Sequence, residues 1–157
     1  MNTRNKKINE DIIRMNSAHV SQVAVIEKQV FSVPWTARAF EEAIDGNCTL
    51  FFVAVVGEKV VGYCGIYLAA DEGEITKVAV IPEYRQNQIA WRLLQEMMGQ
   101  AADKGARQFF LEVRSSNIPA VRLYEKAGFQ MAGRRKNYYQ YPTEDALVMK
   151  CCYFADK

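Results

Sequence analysis

The sequence predicts an α/β domain in which helices flank a mixed sheet. Runs rich in β-branched and aromatic residues recur along the chain, and segments with a helical apolar stripe lie between them. Two of the runs, TLFFVAVV and KVVGYCGIYLA, are separated only by Gly57 and Glu58, so they predict a hairpin. The chain has 157 residues, which is long enough for one domain with a substantial core.

The part of the chain before this hairpin is predicted to hold one strand and two helices. Residues 1–10 are polar and predict a flexible tail, and DIIRM at 11–15 predicts the first strand. Residues 19–31 carry apolar side chains at helical spacing. Thr36 follows the Pro34-Trp35 turn and is a candidate N-cap for a second helix, which ends near Ile44, before Gly46-Asn47.

The part after the hairpin is predicted to alternate between strands and helices. EITKVAVI reads as a strand that ends at Pro82, and QFFLEVR, FQMAGRR and ALVMKCCYF read as later strands. A helix is predicted at 88–104, stopped by Gly105, and a shorter one at 118–127, between an Asn117 N-cap and Gly128. The stripe of the longer helix consists of Ile89, Leu93, Leu94, Met97 and Ala101. We find no repeat or linker, so residues 11–157 are predicted to form a single domain.

Composition and charge favour a cytoplasmic protein with no membrane association. The formal net charge is +2, which is too small by itself to indicate nucleic-acid binding. No apolar run approaches the roughly 18 residues that span a bilayer. The polar N-terminus lacks the apolar core of a signal peptide.

The cysteines do not form a pattern typical of a metal site. Cys48, Cys64, Cys151 and Cys152 include no CxxC pair, and His19 is the only histidine, so no zinc-ligand spacing exists and no metal is predicted. We interpret all four as reduced structural residues. On a strand, the adjacent pair would point to opposite faces.

The turn between EITKVAVI and the helix at 88–104 is a candidate anion site. The first amides of a helix have no intrahelical partners, and the helix dipole is positive at that end. Gln86, Asn87, Gln88, Ile89 and Ala90 would line such a site, and Arg85 would add a charge. An ordinary turn that binds nothing is the alternative. Neither a P-loop nor a GxGxxG fingerprint is present.

The segment Arg85-Gln86-Asn87-Gln88-Ile89-Ala90 resembles the pyrophosphate loop of the GNAT superfamily of acetyl-CoA-dependent N-acetyltransferases, [RQ]xxGx[GA]. Gln88 stands where the family usually has glycine. A side chain disfavours positive φ, so we expect weakened or altered coenzyme binding rather than its loss. If Gln88 has helical dihedrals, its side chain can point outward and leave the amides usable.

Four further stretches are similar to the bacterial ribosomal-protein-alanine N-acetyltransferases of that superfamily. These are FSVPW, FFLEVRSSNIPAVRLYEKAGF, RRKNYY and EDALVM. The resemblance implies a three-layer α/β (α+β) fold whose central, mixed, mostly antiparallel and twisted sheet is flanked by helices. It also implies acetyl-CoA as cosubstrate, with the coenzyme bound by Val78, Ala79, Val80, Arg85, Gln86, Asn87, Gln88, Ile89, Ala90, Trp91 and Asn117. For residues 78–80 only the backbone is used, whereas Asn117 serves equally well as an N-cap.

Glu112 and Tyr124 are the candidate catalytic residues for direct attack of an amine on the thioester. Glu112 interrupts an apolar strand, where a carboxylate is costly unless it is paired, for example with Arg114, or faces water. Tyr124 shares a helix face with Ile118 and Val121, which also suits a core aromatic. The resemblance implies that Glu112 is the general base and that Tyr124 is the general acid. A nucleophilic triad is not indicated, since the chain has one histidine.

The stretch RRKNYYQY combines cations with tyrosines and could therefore stack on RNA bases. The resemblance implies instead that this region forms a slot for a peptide N-terminus. The slot residues are Phe31, Pro34, Trp35, Lys136, Asn137, Tyr138 and Tyr139, although an aromatic at 31 or 35 equally suits the core.

Three functions stay open from the sequence. The first is acetylation of a protein N-terminal α-amine, by resemblance that of the eighteenth small-subunit ribosomal protein, which begins with alanine after methionine removal. The second is acetylation of a small-molecule amine or a lysine side chain. The third is a catalytically silent coenzyme-binding module.

Overall fold

The computed structural model describes residues 9–152, which contain seven strands and four α-helices. The strands are β1 Asp11–Arg14, β2 Thr49–Val56, β3 Lys59–Ala69, β4 Glu72–Val80, β5 Gln108–Arg114, β6 Gln130–Tyr139 and β7 Glu144–Cys152. The helices are α1 Ser17–Val30, α2 Ala37–Ile44, α3 Ile89–Asp103 and α4 Ile118–Lys126, and a 3-10 turn at Pro82–Tyr84 precedes α3.

The seven strands form one sheet in the order β1-β2-β3-β4-β5-β7-β6. Every neighbouring pair is antiparallel except β4 and β5, which run parallel because α3 crosses over between them. This arrangement confirms the predicted mixed, mostly antiparallel sheet with flanking helices.

Helices cover both faces of the sheet. Side chains alternate along β3, so Tyr63 and Cys64 point to opposite faces. The Tyr63 hydroxyl donates to Glu27 of α1 at 2.6 Å, whereas the Cys64 thiol lies 3.7 Å from the Leu93 carbonyl of α3. The helices α1 and α2 therefore lie on one face and α3 on the other. The predicted α3 stripe is buried against this second face.

The predicted starts of α2 and α4 agree with the observed ones because capping side chains mark them. Thr36 caps α2 by accepting from the Ala39 amide at 3.1 Å, and Asn117 caps α4 by accepting from the Ala120 amide at 3.3 Å. The first helix begins at Ser17, two residues before the predicted start, because Asn16 caps it and His19 accepts from the Asn16 amide.

The last two strands differ from the prediction in extent. The last strand, β7, begins at Glu144, two residues before the predicted start at Ala146, and the predicted Tyr153 and Phe154 lie outside the described residues. FQMAGRR was expected to end at Arg135, but β6 continues to Tyr139 and pairs there with Glu144. Between the pairs Arg135–Ala146 and Tyr139–Glu144, three residues of β6 (136–138) face one residue of β7, Asp145. This bulge bends the strand and displays its side chains at the sheet edge.

Several other features bear on the sequence predictions. Eight of the ten residues assigned to the tail lie outside the described part, and in the remainder Glu10 makes an ion pair with Arg92. Cys64 and Cys151 are buried but Cys48 and Cys152 are exposed, and all four are free thiols. No helix within 9–152 is long and apolar enough to cross a membrane.

Candidate active site

A wedge opens between β4 and β5 at the centre of the sheet. The two strands pair only from Glu72–Gln108 to Glu74–Phe110. Gly65 of β3 pairs with Lys77 but the next residue, Ile66, pairs with Ile75, so Thr76 is an extra residue in β4. Such a bulge increases the local twist, which is consistent with the divergence of β4 from β5 beyond this point.

The backbone of β4 presents polar groups to this wedge. The Ile81 amide donates to the Val61 carbonyl at 2.9 Å, which makes Gly62–Val80 a non-hydrogen-bonded pair of the β3–β4 ladder. The N–H and C=O groups of Val80, and by alternation those of Val78, therefore point away from β3 into the wedge. The Val80 carbonyl accepts from Arg85 Nε at 2.9 Å. Within residues 9–152, the Val78 and Val80 amides have no backbone acceptor.

The turn after β4 presents a second set of free amides. Within the described chain, the amides of Ile89, Ala90 and Trp91 at the start of α3 have no intrahelical acceptor. The turn is braced from inside, because the Asn87 side chain donates to the carbonyls of Tyr84 and Arg85 at 3.1 and 3.0 Å. Asn87 therefore supports the turn.

Gln88 adopts a left-handed conformation, with φ 61° and ψ 20°. The right-handed helical dihedrals considered for this residue are wrong. The backbone takes the left-handed form that glycine favours, even though an ordinary side chain pays about 1–2 kcal/mol for it. Gln86 is also left-handed, with φ 65°. The turn thus keeps its amides free in spite of the glutamine at the glycine position.

A cavity of about 670 Å³ joins the wedge to this turn. The predicted coenzyme residues that line it are Val78, Ala79, Val80, Arg85, Gln86, Gln88, Ile89, Ala90, Trp91 and Asn117, which leaves out only Asn87. Tyr124 also lines it, so the structure brings the predicted coenzyme site and one predicted catalytic residue together.

Helix α4 forms a wall of the cavity that the sequence analysis did not identify. Pro119, Ala120, Leu123 and Lys126 line the cavity, as do Val30 and Tyr84. Positions 119, 123 and 126 share one helical face, so their spacing was a usable signal. The Lys126 ammonium lies 4.4 Å from the centroid of the Trp91 ring, which links α4 to α3 across the cavity.

Tyr124 is a buried phenol. Its ring packs edge-on against Phe129, with centroids 5.8 Å apart, and only 7% of the residue is exposed. Burial, with smaller contributions from Tyr139 and Cys64, raises the pKa of Tyr124 above its ordinary value. The hydroxyl is therefore protonated at neutral pH, on a residue that lines the cavity.

Glu112 is held by two partners from β6. Arg135 Nε lies 2.9 Å from Glu112 Oε1, and the Tyr138 hydroxyl hydrogen-bonds to Glu112, which raises the pKa of Tyr138. The pairing with Arg114 considered from the sequence is wrong, because Arg114 contacts Glu144 at 3.2 Å. Leu111 and Val113 are buried while Glu112 is partly exposed, as the predicted alternation requires.

The predicted acceptor residues lie in two segments that meet. Gln140, next to Tyr139, accepts from Ser32 of the loop between α1 and α2 at 3.1 Å. Trp35 packs against Phe40 with ring centroids 5.2 Å apart, so it is partly core, while Pro34 is exposed. Lys136, Asn137 and Tyr138 are exposed and Tyr139 is half-buried. Burial, with Glu112 as the next contribution, raises the pKa of Tyr139 to about 12.

A buried ion pair lies beneath the loop between α1 and α2. Lys77 Nζ contacts Glu27 Oε2 at 2.5 Å, and Glu27 is fully buried. The Trp35 amide donates to the same carboxylate at 3.0 Å. The ammonium lies 4.9 Å from the Phe31 ring centroid and 4.4 Å from that of Trp35. Sequence reasoning missed this pair, although a glutamate on the apolar face of α1 was a signal.

Side chains that could bind a metal ion do not cluster in the described part of the chain. Within 9–152, no group of three or more His, Cys, Asp and Glu side chains is placed to hold a metal ion.

Comparison with known proteins identifies the family. The sequence model of the acetyltransferase (GNAT) family matches residues 20–129. The putative [ribosomal protein bS18]-alanine N-acetyltransferase of Bacillus subtilis is 38% identical over 136 residues, which cover 86% of this chain and 90% of that protein. The crystal structure of the ribosomal-protein-S18-alanine N-acetyltransferase from Escherichia coli superimposes with a TM-score of 0.85 at 26% identity, over 95% of this chain and 97% of that one.

A more distant structure shows the same fold. Arabidopsis thaliana NAA60 in complex with acetyl-CoA has a TM-score of 0.83 at 18% identity, over 92% of this chain and 98% of that one. The resemblance inferred from the loop after β4 and from the four further stretches is confirmed. The chain belongs to the acetyltransferase (GNAT) family.

Proposed function

We propose that this protein transfers the acetyl group of acetyl-CoA to the N-terminal α-amine of a protein, with the N-terminal alanine of ribosomal protein bS18 as the acceptor. The observation that carries the proposal is the convergence of two sets of free backbone amides on one cavity that also contains the Tyr124 phenol. The names of the similar Bacillus subtilis and Escherichia coli proteins support the choice of acceptor.

The cavity suits a long cosubstrate with an anionic end and an amide-containing arm. The amides of Ile89, Ala90 and Trp91 lie at the positive end of α3 and suit the diphosphate. Arg85 and Lys126 add two positive charges along the same cavity. The wedge-facing groups of Val78 and the Val80 amide suit the amides of the pantetheine arm and the thioester oxygen, where a preorganised donor is worth a few kcal/mol.

Direct attack by the amine requires two proton transfers. One removes a proton from the attacking amine, and the other protonates the leaving thiolate. An α-amine has a pKa of about 7.7–8.0, so a modest base is enough near neutral pH. We assign this role to the Glu112 carboxylate, which Arg135 and Tyr138 hold in place. Tyr124 keeps its proton at neutral pH and donates it to the leaving thiolate. Holding both substrates side by side removes the need for a covalent enzyme intermediate.

The acceptor enters from the face opposite α3. Glu112 and Arg114 share one face of β5, and Arg114 contacts Ser32 in the loop between α1 and α2 at 3.1 Å. The proposed slot therefore lies between residues 31–35 of that loop and residues 136–139 of β6. An extended peptide N-terminus would fit between these walls and bring its amine to Glu112. Since ribosomal proteins are made in the cytoplasm, we propose a cytoplasmic location.

The test is mass spectrometry of peptides incubated with the purified protein and labelled acetyl-CoA. One peptide carries the bS18 N-terminus with a free α-amine, and its control has a blocked α-amine but keeps its lysines. We expect label only on the α-amine of the first peptide. Label on lysine in the blocked peptide would instead support a lysine acetyltransferase. A thermal shift on adding the coenzyme, without any transfer, would support the silent binding module.

A further inference from the structure

The Arg114 guanidinium contacts four hydrogen-bond acceptors and one aromatic ring beside the proposed acceptor slot. Its Nη1 donates to the Pro142 carbonyl at 2.9 Å and to Glu144 Oε1 at 3.2 Å. Its Nη2 donates to the Gln140 carbonyl at 2.8 Å and to Ser32 Oγ at 3.1 Å. The guanidinium also lies over the Tyr139 ring, 4.6 Å from its centroid.

These contacts join the two walls of the slot. Ser32 belongs to the loop between α1 and α2, which forms one wall. Gln140 and Pro142 belong to the loop between β6 and β7, which directly follows residues 136–139 of the other wall. Because Arg114 itself lies at the end of β5, one side chain connects both loops to the strand that carries Glu112. Ser32 Oγ also donates to the Gln140 carbonyl, which adds a direct link between the walls.

The position of the guanidinium is itself fixed. Glu144 pairs with Arg114 and also accepts from the Ser116 amide at 2.6 Å and from the Ser115 hydroxyl at 3.2 Å. A hydrogen bond from the Ser116 side chain, with smaller contributions from the Ser116 amide, Arg114 and Ser115, lowers the pKa of Glu144 to about 2. The carboxylate is therefore charged at all working pH values and holds Arg114 in one orientation.

We infer that Arg114 is a positioning residue that makes the enzyme select an extended polypeptide over a short amine. This inference rests on the proposed function. The two walls of the slot have no covalent link near this point, and their spacing is held by Arg114 and Ser32. A long acceptor that contacts both walls needs this spacing, whereas a short amine needs only Glu112 and the thioester. Loss of the hydrogen bonds from Arg114 to both walls should therefore lower activity on long acceptors more than activity on short ones.

Lysine is a discriminating replacement for Arg114. It keeps the positive charge for Glu144, but it lacks the planar fork that reaches Ser32, Gln140 and Pro142 together and stacks on Tyr139. The variant therefore removes the simultaneous hydrogen bonds to Ser32, Gln140 and Pro142 without leaving the Glu144 carboxylate unpaired.

The experiment compares kcat/KM for two acceptors, a long peptide with the bS18 N-terminus and a dipeptide amide with the same first residue. The wild-type protein is measured first. If it fails to acetylate the long peptide, the proposed function is rejected, and the inference about Arg114 is rejected with it. The variants are Arg114→Lys and Ser32→Ala. The matched control is Arg38→Lys, since Arg38 is an exposed arginine of α2 that pairs with Glu42. Thermal unfolding and coenzyme titration are recorded for every protein.

For Arg114→Lys we expect kcat/KM for the long peptide to fall roughly 10- to 100-fold, mainly through KM, because small displacements of substrate walls have effects of this size. The value for the dipeptide amide should fall less than about threefold, and coenzyme affinity should not change. Ser32→Ala should shift the ratio in the same direction by a smaller factor, and Arg38→Lys should not shift it. Equal losses on both acceptors, or an unchanged ratio in both variants, would overturn the inference. If Arg114→Lys does not fold, the Ser32→Ala ratio decides.

Discussion

Replacing Lys77 with methionine should destabilise the protein, because it leaves the Glu27 carboxylate buried without its cation. Glu27 is fully buried, and the Lys77 side chain is only 9% exposed, so solvent cannot replace the lost charge. Methionine fills much of the volume of the lysine stem, and therefore the change acts mainly on electrostatics.

The expected magnitude follows from what remains around the carboxylate. Removing one partner of a buried ion pair costs about 3–5 kcal/mol. The Tyr63 hydroxyl, at 2.6 Å, and the Trp35 amide, at 3.0 Å, still donate to Glu27 in the variant. Burial and the hydrogen bond to Glu27 raise the pKa of Tyr63, so this phenol remains a donor. We therefore expect the lower end, about 3 kcal/mol, which corresponds to roughly 6–12 °C in Tm for a domain of this size.

The assay is urea unfolding of Lys77→Met and of the double variant Lys77→Met/Glu27→Gln. The glutamine removes the orphaned charge, so the double variant should regain at least half of the lost unfolding free energy. Lys150→Met is the control, because Lys150 is an exposed lysine on β7. A loss below about 1 kcal/mol for Lys77→Met, within the range of an exposed ion pair, would refute the reasoning. A double variant no more stable than the single one would refute it as well.

Four further outcomes follow from the site. Glu112→Gln should lower kcat about 100-fold or more, most strongly at acidic pH, with coenzyme affinity unchanged, and rates equal to those of the wild type across the pH range would exclude Glu112 as the base. Tyr124→Phe should lower turnover while Tm stays near wild type, since phenylalanine keeps the packing on Phe129; wild-type turnover would leave it a core residue. Gln88→Gly should raise Tm, because glycine adopts the left-handed conformation of the free protein at lower cost, and should tighten coenzyme binding in a calorimetric titration by removing a side chain from the cavity wall; a large loss of affinity would reveal a contact made by the glutamine side chain. Stability should decline as pH falls from 4.5 toward about 2, because the lowered pKa of Glu144 means that its contribution is lost on protonation; Glu144→Gln should flatten this decline in acid unfolding.

Local signals in the sequence were enough for most of the fold and for most of the residues that line the cavity along β4 and the turn after it. Helix starts depend on a capping residue and its next few neighbours, so Thr36 and Asn117 could be identified in advance. The residues predicted to bind the coenzyme, apart from Asn117, follow one another along β4, the turn and α3. Residues that are neighbours in the chain are placed side by side as soon as one strand and the helix after it form.

Other features depended on contacts between distant parts of the chain. Glu112 pairs with Arg135 because the strand order β5-β7-β6 and the pairing of Arg135 with Ala146 of β7 place the two side chains close together across β7. Arg114, two residues along, is drawn instead to Glu144 and to the loop carrying Ser32. The left-handed conformation of Gln88 likewise runs against the preference of a residue with a side chain.

By itself, the sequence determined the order and type of the elements, the family and the residues that line the turn after β4, because periodicity, caps and motifs are local in the chain. Only the tertiary structure decided which cation faces which carboxylate, how the loop between α1 and α2 is joined to the loop between β6 and β7, and that Lys77 is buried against Glu27. Ion pairing depends on distance in space, and the register of the sheet sets that distance between residues far apart in sequence.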